Sequence, residues 1–353
     1  MKRRKTCYRA QMFSVNKVFY SMDQAATSSL LTDVESRKVP ETNIPVFEKT
    51  IETHTKTILS QSIMAEGPSS VQTLEPAELE ALKASTFRRL HPKVYLERFL
   101  AEKIRPDGRE FDEWRDISVN VGSISTADGS SLVRLGDTTI VCGVKAEIAE
   151  PELDRPEHGF LVPNIDLPAI CSPKFKPGPP TEEAQVLSDR LNEALISSGL
   201  ISTTSLCIER GKSVWVLYVD ATCINYDGNA FDAALLAMVA ALKNTQLPKA
   251  TFDEDTNKTL CTRKTIIPLE LNHKLPLSFT FGVFDSSYIL ADPTVFEEPL
   301  LETTYTIIVN QDSELISVNQ SGLGLLNGQD VLSRCIATSK ARCLEIGSSL
   351  YKT

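Results

Sequence analysis

The sequence predicts a mixed α/β (α+β) protein of two units, in each of which a group of strands is followed by a helix. The clearest pattern runs from Val214 to Leu242, where an apolar stretch typical of a buried strand leads through a polar turn into an apolar helix. Residues 117–148 alternate apolar and polar positions between glycine-containing turns. The second half repeats this order more briefly and closes on a helix at 328–351.

Four segments are predicted along the chain: a disordered tail at 1–75, an N-terminal helical segment at 76–104, a first domain at 105–250 and a second domain with a C-terminal helix at 251–353. The tail has no sustained periodicity and is rich in Thr, Ser, Glu, Lys and Gln, a composition typical of disorder. Its basic start, Lys2-Arg3-Arg4-Lys5, fits a nuclear localisation signal, a transit peptide or simply a solvated end.

The helical segment begins at Glu75-Pro76, and after Pro92 it carries an apolar stripe. The stripe consists of Tyr95, Leu96, Phe99 and Leu100. A helix face of this kind must pack on another part of the protein.

Strands in the first domain are predicted at 117–124, 131–135 and 138–148. Asp128-Gly129 and Gly136-Asp137 provide the turns between them. Short turns of this type connect antiparallel neighbours, so the three strands form a meander.

Residues 151–180 are crowded with proline and polar residues, and we interpret them as an extended connection on the surface. A helix follows at 181–198, where Thr181 can cap the helix and two glutamates suit its positive end. Pro248 and the polar run 253–257 are interpreted as the domain boundary. Five shorter strands are then expected, near 265–269, 277–284, 287–290, 304–309 and 315–319.

Charge is distributed unevenly along the chain. Residues 1–104 hold 16 Lys and Arg against 12 Asp and Glu, which leaves 21 against 34, a net charge of −13, for residues 105–353. An acidic domain repels a phosphate backbone, so the composition argues against a free-standing nucleic-acid binder. The eight cysteines are scattered and mostly lie in apolar runs, as expected of buried, reduced thiols in an intracellular protein.

Several familiar catalytic motifs are missing or misplaced. Gly211-Lys212-Ser213 lacks the glycine that a phosphate-binding P-loop needs five positions earlier, and a strand follows it instead of a helix. The glycines at 322, 324 and 328 are interpreted as a helix-start turn, because the chain has no room for a dinucleotide fold after them. The four histidines share no metal-ligand spacing with cysteines or acids.

Carboxylates mark two places where strands end. Asp220, Asp227 and Asp232 surround the turn between the central strand and its helix, yet no arginine lies between Arg210 and Arg263 to clamp an anion there. Asp292 and Glu298 flank a turn after an apolar strand, and such a pair can hold Mg²⁺ near a phosphate. Acidic turn residues without any function are the commoner explanation.

Ordered motifs resemble the RNase PH family, and more closely its subunits of the RNA exosome ring. The likeness spans roughly Val94 to Leu350 and rests on Arg105-Pro106-Asp107-Gly108-Arg109, Gly122 to Thr139, Pro163 to Pro168, Gly178-Pro179-Pro180, Tyr226-Asp227-Gly228-Asn229 and Ala291-Asp292-Pro293-Thr294. The resemblance implies a duplicated β-α-β-α fold and a six-membered ring with a central RNA channel. It also implies RNA-binding cap proteins on one face of the ring.

Within that family the chain resembles the inert branch. Active members carry a Gly-Thr-Arg-like phosphate turn, and here the arginine is replaced by Phe231, with Asp232 adding negative charge beside it. Val144-Lys145-Ala146-Glu147 likewise matches the inert pattern. We therefore expect no catalytic residues, no metal and no cofactor. The remnants of an ancestral site are Asp227, Asp232, Asp292 and Glu298.

The resemblance implies a non-catalytic ring subunit that supports 3' to 5' RNA processing and degradation, including rRNA maturation and mRNA turnover. Expected partners are other RNase PH-type ring subunits, cap proteins, exosome-associated nucleases and RNA in the channel. No membrane association is expected, and the expected locations are the nucleus, the nucleolus and the cytoplasm. Lys174 and Lys176 are the candidate RNA contacts. The alternative is a phosphate-dependent exoribonuclease that uses Asp292 and Glu298 with Mg²⁺ in a heterodimer.

Overall fold

A computed structural model describes residues 76–256, 258–272, 275–322 and 328–350. The predicted disordered tail at 1–75 and most of the predicted glycine turn before the last helix lie outside these residues. The chain divides into two compact units, Met1–Phe111 and Asp112–Thr353. In the first unit, α1 spans Pro76–Leu90 and α2 spans Pro92–Ala101. Tyr95, Leu96, Phe99 and Leu100 of α2 are buried, as the apolar stripe predicts.

The second unit contains twelve strands and three longer helices within the described residues. The strands are β1 Ile117–Val121, β2 Gly129–Leu135, β3 Thr138–Ala149, β4 Phe160–Asp166, β5 Cys207–Glu209, β6 Ser213–Asn225, β7 Gln246–Asp253, β8 Lys258–Pro268, β9 Pro276–Phe284, β10 Tyr288–Ala291, β11 Thr303–Asn310 and β12 Leu315–Gly322. The helices are α3 Glu182–Ser198, α4 Ala230–Lys243 and α5 Gly328–Leu350. Short 3-10 turns occupy Thr203–Leu206 and Glu298–Leu300.

The strands form a six-stranded, a four-stranded and a two-stranded sheet. The six-stranded sheet has the order β1-β2-β3-β6-β4, with β5 also pairing with β6. The four-stranded sheet has the order β10-β9-β11-β12, and β7 pairs with β8 alone. The β1-β2-β3 meander is antiparallel, which confirms the prediction from the turns.

Helix α4 lies at the centre of the unit. It packs against β2, β3 and β6 of the large sheet and against β9 of the four-stranded sheet. Nearly every residue of the helix is buried, because it is covered on both sides. This central position explains why its sequence is apolar around the whole circumference, and it places the start of α4 between the two sheets.

The interpretation of residues 151–180 as a surface connection is wrong in part. This segment contains β4, which pairs in parallel with β6, and it buries Ile165, Leu167, Cys171 and Phe175. Because β4 lies at the end of the sheet, a strand containing Pro163 is tolerated there despite its missing N–H. The proline content of the segment therefore favoured a connection in the prediction, although the segment contains a strand at the edge of the sheet.

The predicted domain boundary also falls within regular structure. Pro248 lies inside β7, and the described part of the polar run, 253–256, lies at the tip of the β7–β8 hairpin. The division of the chain at 250/251 itself stays a prediction. None of the helices among the described residues combines the length and apolar character that crossing a membrane demands.

Free thiols account for all of the cysteines at described positions, and five of the seven are buried. Burial raises the pKa of Cys223 to about 12 and that of Cys335 to about 11. Cys261 on β8 is the exposed exception. The expectation of buried thiols thus holds for most of these positions.

Candidate functional site

A cleft of about 740 Å³ opens beside the start of α4. Its walls come from α3, from the turn between β6 and α4, and from the connection between β10 and β11. Its volume is in the range of small-ligand pockets. Five of the side chains that line it decide its chemistry: Lys174, Arg190, Tyr226, Phe231 and Glu298.

The turn between β6 and α4 needs an unusual backbone. Gly228 and Asn229 both have positive φ angles, 82° and 51°. A Cβ at Gly228 would lie 2.5 Å from the backbone nitrogen of Val295, so only glycine fits against the facing turn. The N–H of Val295 donates to the carbonyl of Asp227, which ties the two turns together at 3.2 Å. The site is therefore built where two strand-end turns meet.

Asp292, at the end of β10, is fully buried with 0% of its surface exposed. Arg115 donates two hydrogen bonds to the Asp292 carboxylate: Nε lies 2.8 Å from Oδ2 and Nη2 lies 2.7 Å from Oδ1. The backbone N–H of Arg115 donates to Oδ2 as well, at 3.1 Å. This is the bidentate geometry of a strong arginine–carboxylate pair. Both oxygens of Asp292 are thus occupied by donors from the protein itself.

Arg115 also reaches the β6–α4 turn. Its Nη1 donates to the carbonyl of Asp227 at 2.7 Å and lies 3.4 Å from the Asp227 carboxylate. Burial alone lowers the pKa of Arg115, but the hydrogen bonds and charge of Asp292 outweigh it, so the pKa is raised. An arginine does reach this acidic corner, from before β1 and more than a hundred residues away, but it is bound to Asp292 and to the turn itself. The absence of an arginine clamp for an anion at this corner stays a prediction.

Asn229 connects two buried carboxylates. Its Nδ2 donates to Asp232 at 2.8 Å and to Asp292 at 2.7 Å. Asp232 also accepts the backbone N–H of Thr280 at 2.8 Å and the Thr280 hydroxyl at 2.9 Å. Burial raises the pKa of Asp232. Asp232 lies in the first turn of α4, where the helix dipole also favours a carboxylate.

The three aspartates of the predicted acidic junction separate in the structure. Asp220 is exposed on the outer face of β6, Asp227 is partly exposed at the turn, and Asp232 is buried behind it. Asp232 does not line the cleft, and its carboxylate accepts hydrogen bonds from Asn229 and from Thr280 of β9. Its charge still acts on Arg190, whose guanidinium lies over the Phe231 ring, and its role as negative charge beside Phe231 stays a prediction.

Glu298 does line the cleft, but it is engaged by its neighbours. It accepts the hydroxyl of Tyr226 at 2.6 Å and the backbone N–H of Asn229 at 2.7 Å. Burial raises the pKa of Glu298, and burial together with the charge of Glu298 raises the pKa of Tyr226. Asp292 and Glu298 are therefore linked by Asn229, whose side chain bonds to one and whose backbone N–H bonds to the other. They do not face each other across an open cation site. The part of the chain that the structure describes contains no cluster of three or more His, Cys, Asp or Glu suited to a metal.

Phe231 occupies the cleft where the family resemblance places an arginine in active members. The guanidinium of Arg190, from α3, lies 4.6 Å from the centre of its ring. Nη2 of Arg190 also donates to the Thr306 hydroxyl at 3.0 Å, and burial lowers the pKa of Arg190. The sequence held a signal for this residue: Arg190 lies three positions after Leu187 and four before Ala194, on the buried side of α3.

The two predicted RNA-binding lysines differ in position. Lys174 lines the cleft and pairs with Glu183 at 2.8 Å, with its ammonium 5.4 Å from the Tyr226 ring. Lys176 is exposed and is not part of the cleft wall. The formal charge of the cleft lining is negative, because Glu182, Glu183 and Glu298 outnumber Lys174 and Arg190. RNA binding by the two lysines stays a prediction.

Comparison with known proteins agrees with the fold. Residues 113–248 match domain 1 of the 3' exoribonuclease family RNase PH, and residues 274–342 match domain 2. The chain is 41% identical over 272 residues to the exosome complex component rrp43 of Schizosaccharomyces pombe, covering 77% of this chain and 100% of the relative. It is also 41% identical over 230 residues to the exosome complex component Rrp42 of Methanothermobacter thermautotrophicus, covering 65% of this chain and 83% of that protein.

Solved structures give the same result. A chain of the Archaeoglobus fulgidus exosome with RNA bound to the active site superposes with a TM-score of 0.65 at 30% identity, covering 76% of this chain and 99% of that one. A chain of an archaeal exosome core gives a TM-score of 0.61 at 28% identity, with 76% and 97% covered. These matches confirm the duplicated RNase PH-type fold with its N-terminal helical segment. The chain therefore belongs to the RNase PH family of 3' exoribonucleases and is a subunit of the exosome ring.

Proposed function

We propose that this ring subunit is non-catalytic and supports 3' to 5' RNA processing and degradation, including rRNA maturation and mRNA turnover, as part of the RNA channel and of its partner interfaces. The proposal rests mainly on the hydrogen bonds of the buried Asp292 carboxylate. Both of its carboxylate oxygens are held by Arg115 and Asn229 in a buried network, so the residue has no open coordination position. A catalytic acid or a metal ligand needs such a position.

The cleft also lacks the means to hold phosphate. Phosphorolysis places an inorganic phosphate anion beside the terminal phosphodiester, so it depends on cationic side chains and N–H donors directed at both groups. Arg190 lies over Phe231 and bonds to Thr306, and Lys174 is paired with Glu183. The remaining carboxylates repel anions. Transition-state stabilisation by an arginine clamp is therefore missing.

The wider setting is part of the same proposal. Its partners are other RNase PH-type ring subunits, RNA-binding cap proteins, associated nucleases and RNA passing through the channel. The solved exosome whose chain resembles this one has RNA bound to the active site, which supports RNA as the cargo. Nucleus, nucleolus and cytoplasm are the proposed locations, as the family resemblance implies.

An activity assay on the reconstituted ring tests the proposal. Radiolabelled RNA is incubated with inorganic phosphate, and the released nucleoside diphosphate is measured for the wild-type ring and for rings carrying Glu298→Gln or Asp292→Asn. The expected result is an identical rate for all three rings, and no turnover by the isolated chain. Native mass spectrometry checks that each variant ring is intact.

The result that would overturn the proposal is phosphate-dependent turnover by the isolated chain. A loss of activity in an intact ring that carries Glu298→Gln would overturn it as well. Either outcome would establish the alternative, a phosphorolytic exoribonuclease that works through Asp292 and Glu298.

A further inference from the structure

The cleft beside α4 leaves apolar side chains in contact with water. Val186 and Leu187 of α3 line it, as do Phe231 of α4 and Val295 of the β10–β11 connection. Val186 exposes 51% of its surface and Val295 exposes 36%. A concave apolar surface is the usual form of a binding site, since a ligand that covers it releases the water in contact with it.

The two cations in the lining of the cleft are already engaged within the protein. Lys174 pairs with Glu183, and the guanidinium of Arg190 lies over the ring of Phe231. Three glutamates of the lining outnumber these two cations. The cleft therefore repels an anionic ligand and attracts a cationic one.

The exposed side of α3 extends this negative charge beyond the cleft. The helix contains four carboxylates and a single arginine. Glu182 and Glu183 lie in its first turn, where the helix dipole favours them. Asp189 and Glu193 lie beyond that turn and are exposed, so the dipole does not account for them. Because they follow Val186 by three and seven positions, they lie on the same side of the helix as that residue.

The lining also contains a buried acceptor without a donor. Asn229 is 4% exposed, and its Nδ2 donates to Asp232 and Asp292. Its Oδ1 is enclosed and accepts no hydrogen bond from the described residues. Glu298, in the same lining, accepts two hydrogen bonds and retains lone pairs for more. Both side chains favour a ligand that donates hydrogen bonds.

We propose that the cleft binds a linear basic peptide, which inserts one lysine or arginine side chain and places further basic residues along the exposed carboxylates of α3. The methylene stem of the inserted side chain covers Val186 and Phe231, and its N–H groups are directed toward Asn229 and Glu298. RNA is disfavoured because its phosphates carry the same sign of charge as this surface. The inference rests on the proposed function in one respect, since the cleft must be free of phosphate and RNA.

Peptide binding to the isolated chain and to the reconstituted ring tests the inference. The probe is a fluorescein-labelled peptide of about ten residues, about half of them lysine or arginine and the others leucine or alanine. Fluorescence anisotropy is measured at about 0.15 M salt, where exposed charges more than about 8 Å apart are largely screened. We expect saturable binding with a dissociation constant below about 1 mM in both samples. A control peptide with glutamate at every basic position should bind at least about tenfold more weakly.

The proposal is overturned if either sample shows no saturable binding, or if the two peptides bind equally well. Loss of binding in the ring alone has this consequence because the cleft is then covered by another subunit.

Substitutions at exposed positions locate the site. The double variant Asp189→Lys with Glu193→Lys should bind the basic peptide at least about tenfold more weakly, and Val186→Ala about threefold more weakly. The matched control is Glu254→Lys with Asp255→Lys, which changes the net charge equally at exposed positions outside α3 and outside the cleft lining. Binding by the α3 double variant as tight as binding by this control contradicts the proposal.

Two other occupants are tested with the same label. Spermidine that binds as tightly as the peptide would assign the cleft to small polycations, and single-stranded RNA whose affinity falls with Val186→Ala would assign it to RNA. Either result overturns the proposal. A chain that binds no peptide, while rings with and without Glu298→Gln still degrade RNA at the same rate, overturns only this inference and leaves the proposed function standing.

Discussion

The Arg115–Asp292 pair connects the start of β1 to the end of β10, and Arg115→Met removes it while keeping a similar side-chain length. The side chain of Arg115 is 8% exposed and that of Asp292 is 0% exposed, so the substitution strands a carboxylate away from water. Breaking one side of a buried pair costs about 3–5 kcal/mol. The donor to the Asp227 carbonyl is lost as well. We therefore expect the free energy of unfolding to fall by about 3–5 kcal/mol, a large share of the 5–15 kcal/mol typical of a domain.

Urea unfolding of the isolated chain, followed by circular dichroism, measures this loss. Arg210→Met is the matched control, because Arg210 lies 2.9 Å from Glu157 while the two side chains are 73% and 47% exposed. An exposed pair contributes only about 0–1 kcal/mol. The same substitution at a similar ion-pair distance should therefore have little effect at Arg210.

A double variant, Arg115→Met with Asp292→Asn, separates the stranded charge from the lost contacts. Asparagine tolerates the positive φ of 48° at this position and carries no charge. The double variant should be more stable than Arg115→Met alone, since no buried charge is left unpaired. The reasoning is refuted if Arg115→Met destabilises the chain no more than Arg210→Met, or if Asp292→Asn restores nothing.

Three further predictions concern the network and the cleft. Burial raises the pKa of Glu298 above its ordinary 4.5, so the folded state retains a proton that the unfolded chain has lost, and wild-type stability falls as the pH rises through that window. Because Glu298→Gln lacks this titration, the unfolding free energy of the variant relative to wild type should rise as the pH increases above the ordinary glutamate pKa of 4.5. A difference that stays constant in urea titrations at several pH values contradicts this prediction. Asn229→Ala should lower the free energy of unfolding by about 3 kcal/mol, because two hydrogen bonds to carboxylates are lost. For Asn229→Gly the loss should be smaller by about 1 kcal/mol, because glycine adopts the positive φ of this position more easily than alanine. Thermal unfolding that finds the glycine variant less stable than the alanine variant contradicts this prediction. Replacing both Lys174 and Lys176 with alanine should reduce ultraviolet crosslinking of RNA to this subunit within the ring, and unchanged crosslinking would remove them as RNA contacts.

Local elements could be predicted because their signals are local. Alternating residues and glycine turns identify the meander, and Gly136 has the positive φ of 58° that its turn requires. Thr181 caps α3 as predicted, since its side chain accepts the N–H of Ala184. Each of these features depends on neighbours within a few positions in the chain.

Two strands were not predicted from the sequence, because proline usually interrupts regular structure. Pro163 in β4 and Pro248 in β7 lie in strands that are stabilised by pairing with β6 and β8, respectively. The cost of a missing N–H depends on whether that edge of the strand has a partner, and sequence alone does not show which edges are paired.

The family, the acidic character of the globular part and the phenylalanine at position 231 can be predicted from the chain alone, because they depend only on which residues are present. Which carboxylates are accessible depends on the packing of the folded protein. Arg115 and Asp292 are 177 positions apart, and they meet because the two sheets pack around α4 and bring their strand ends together. Burial then makes each unpaired charge so costly that Asp232, Asp292 and Glu298 are bound to protein donors, and this property follows from packing rather than from spacing along the chain.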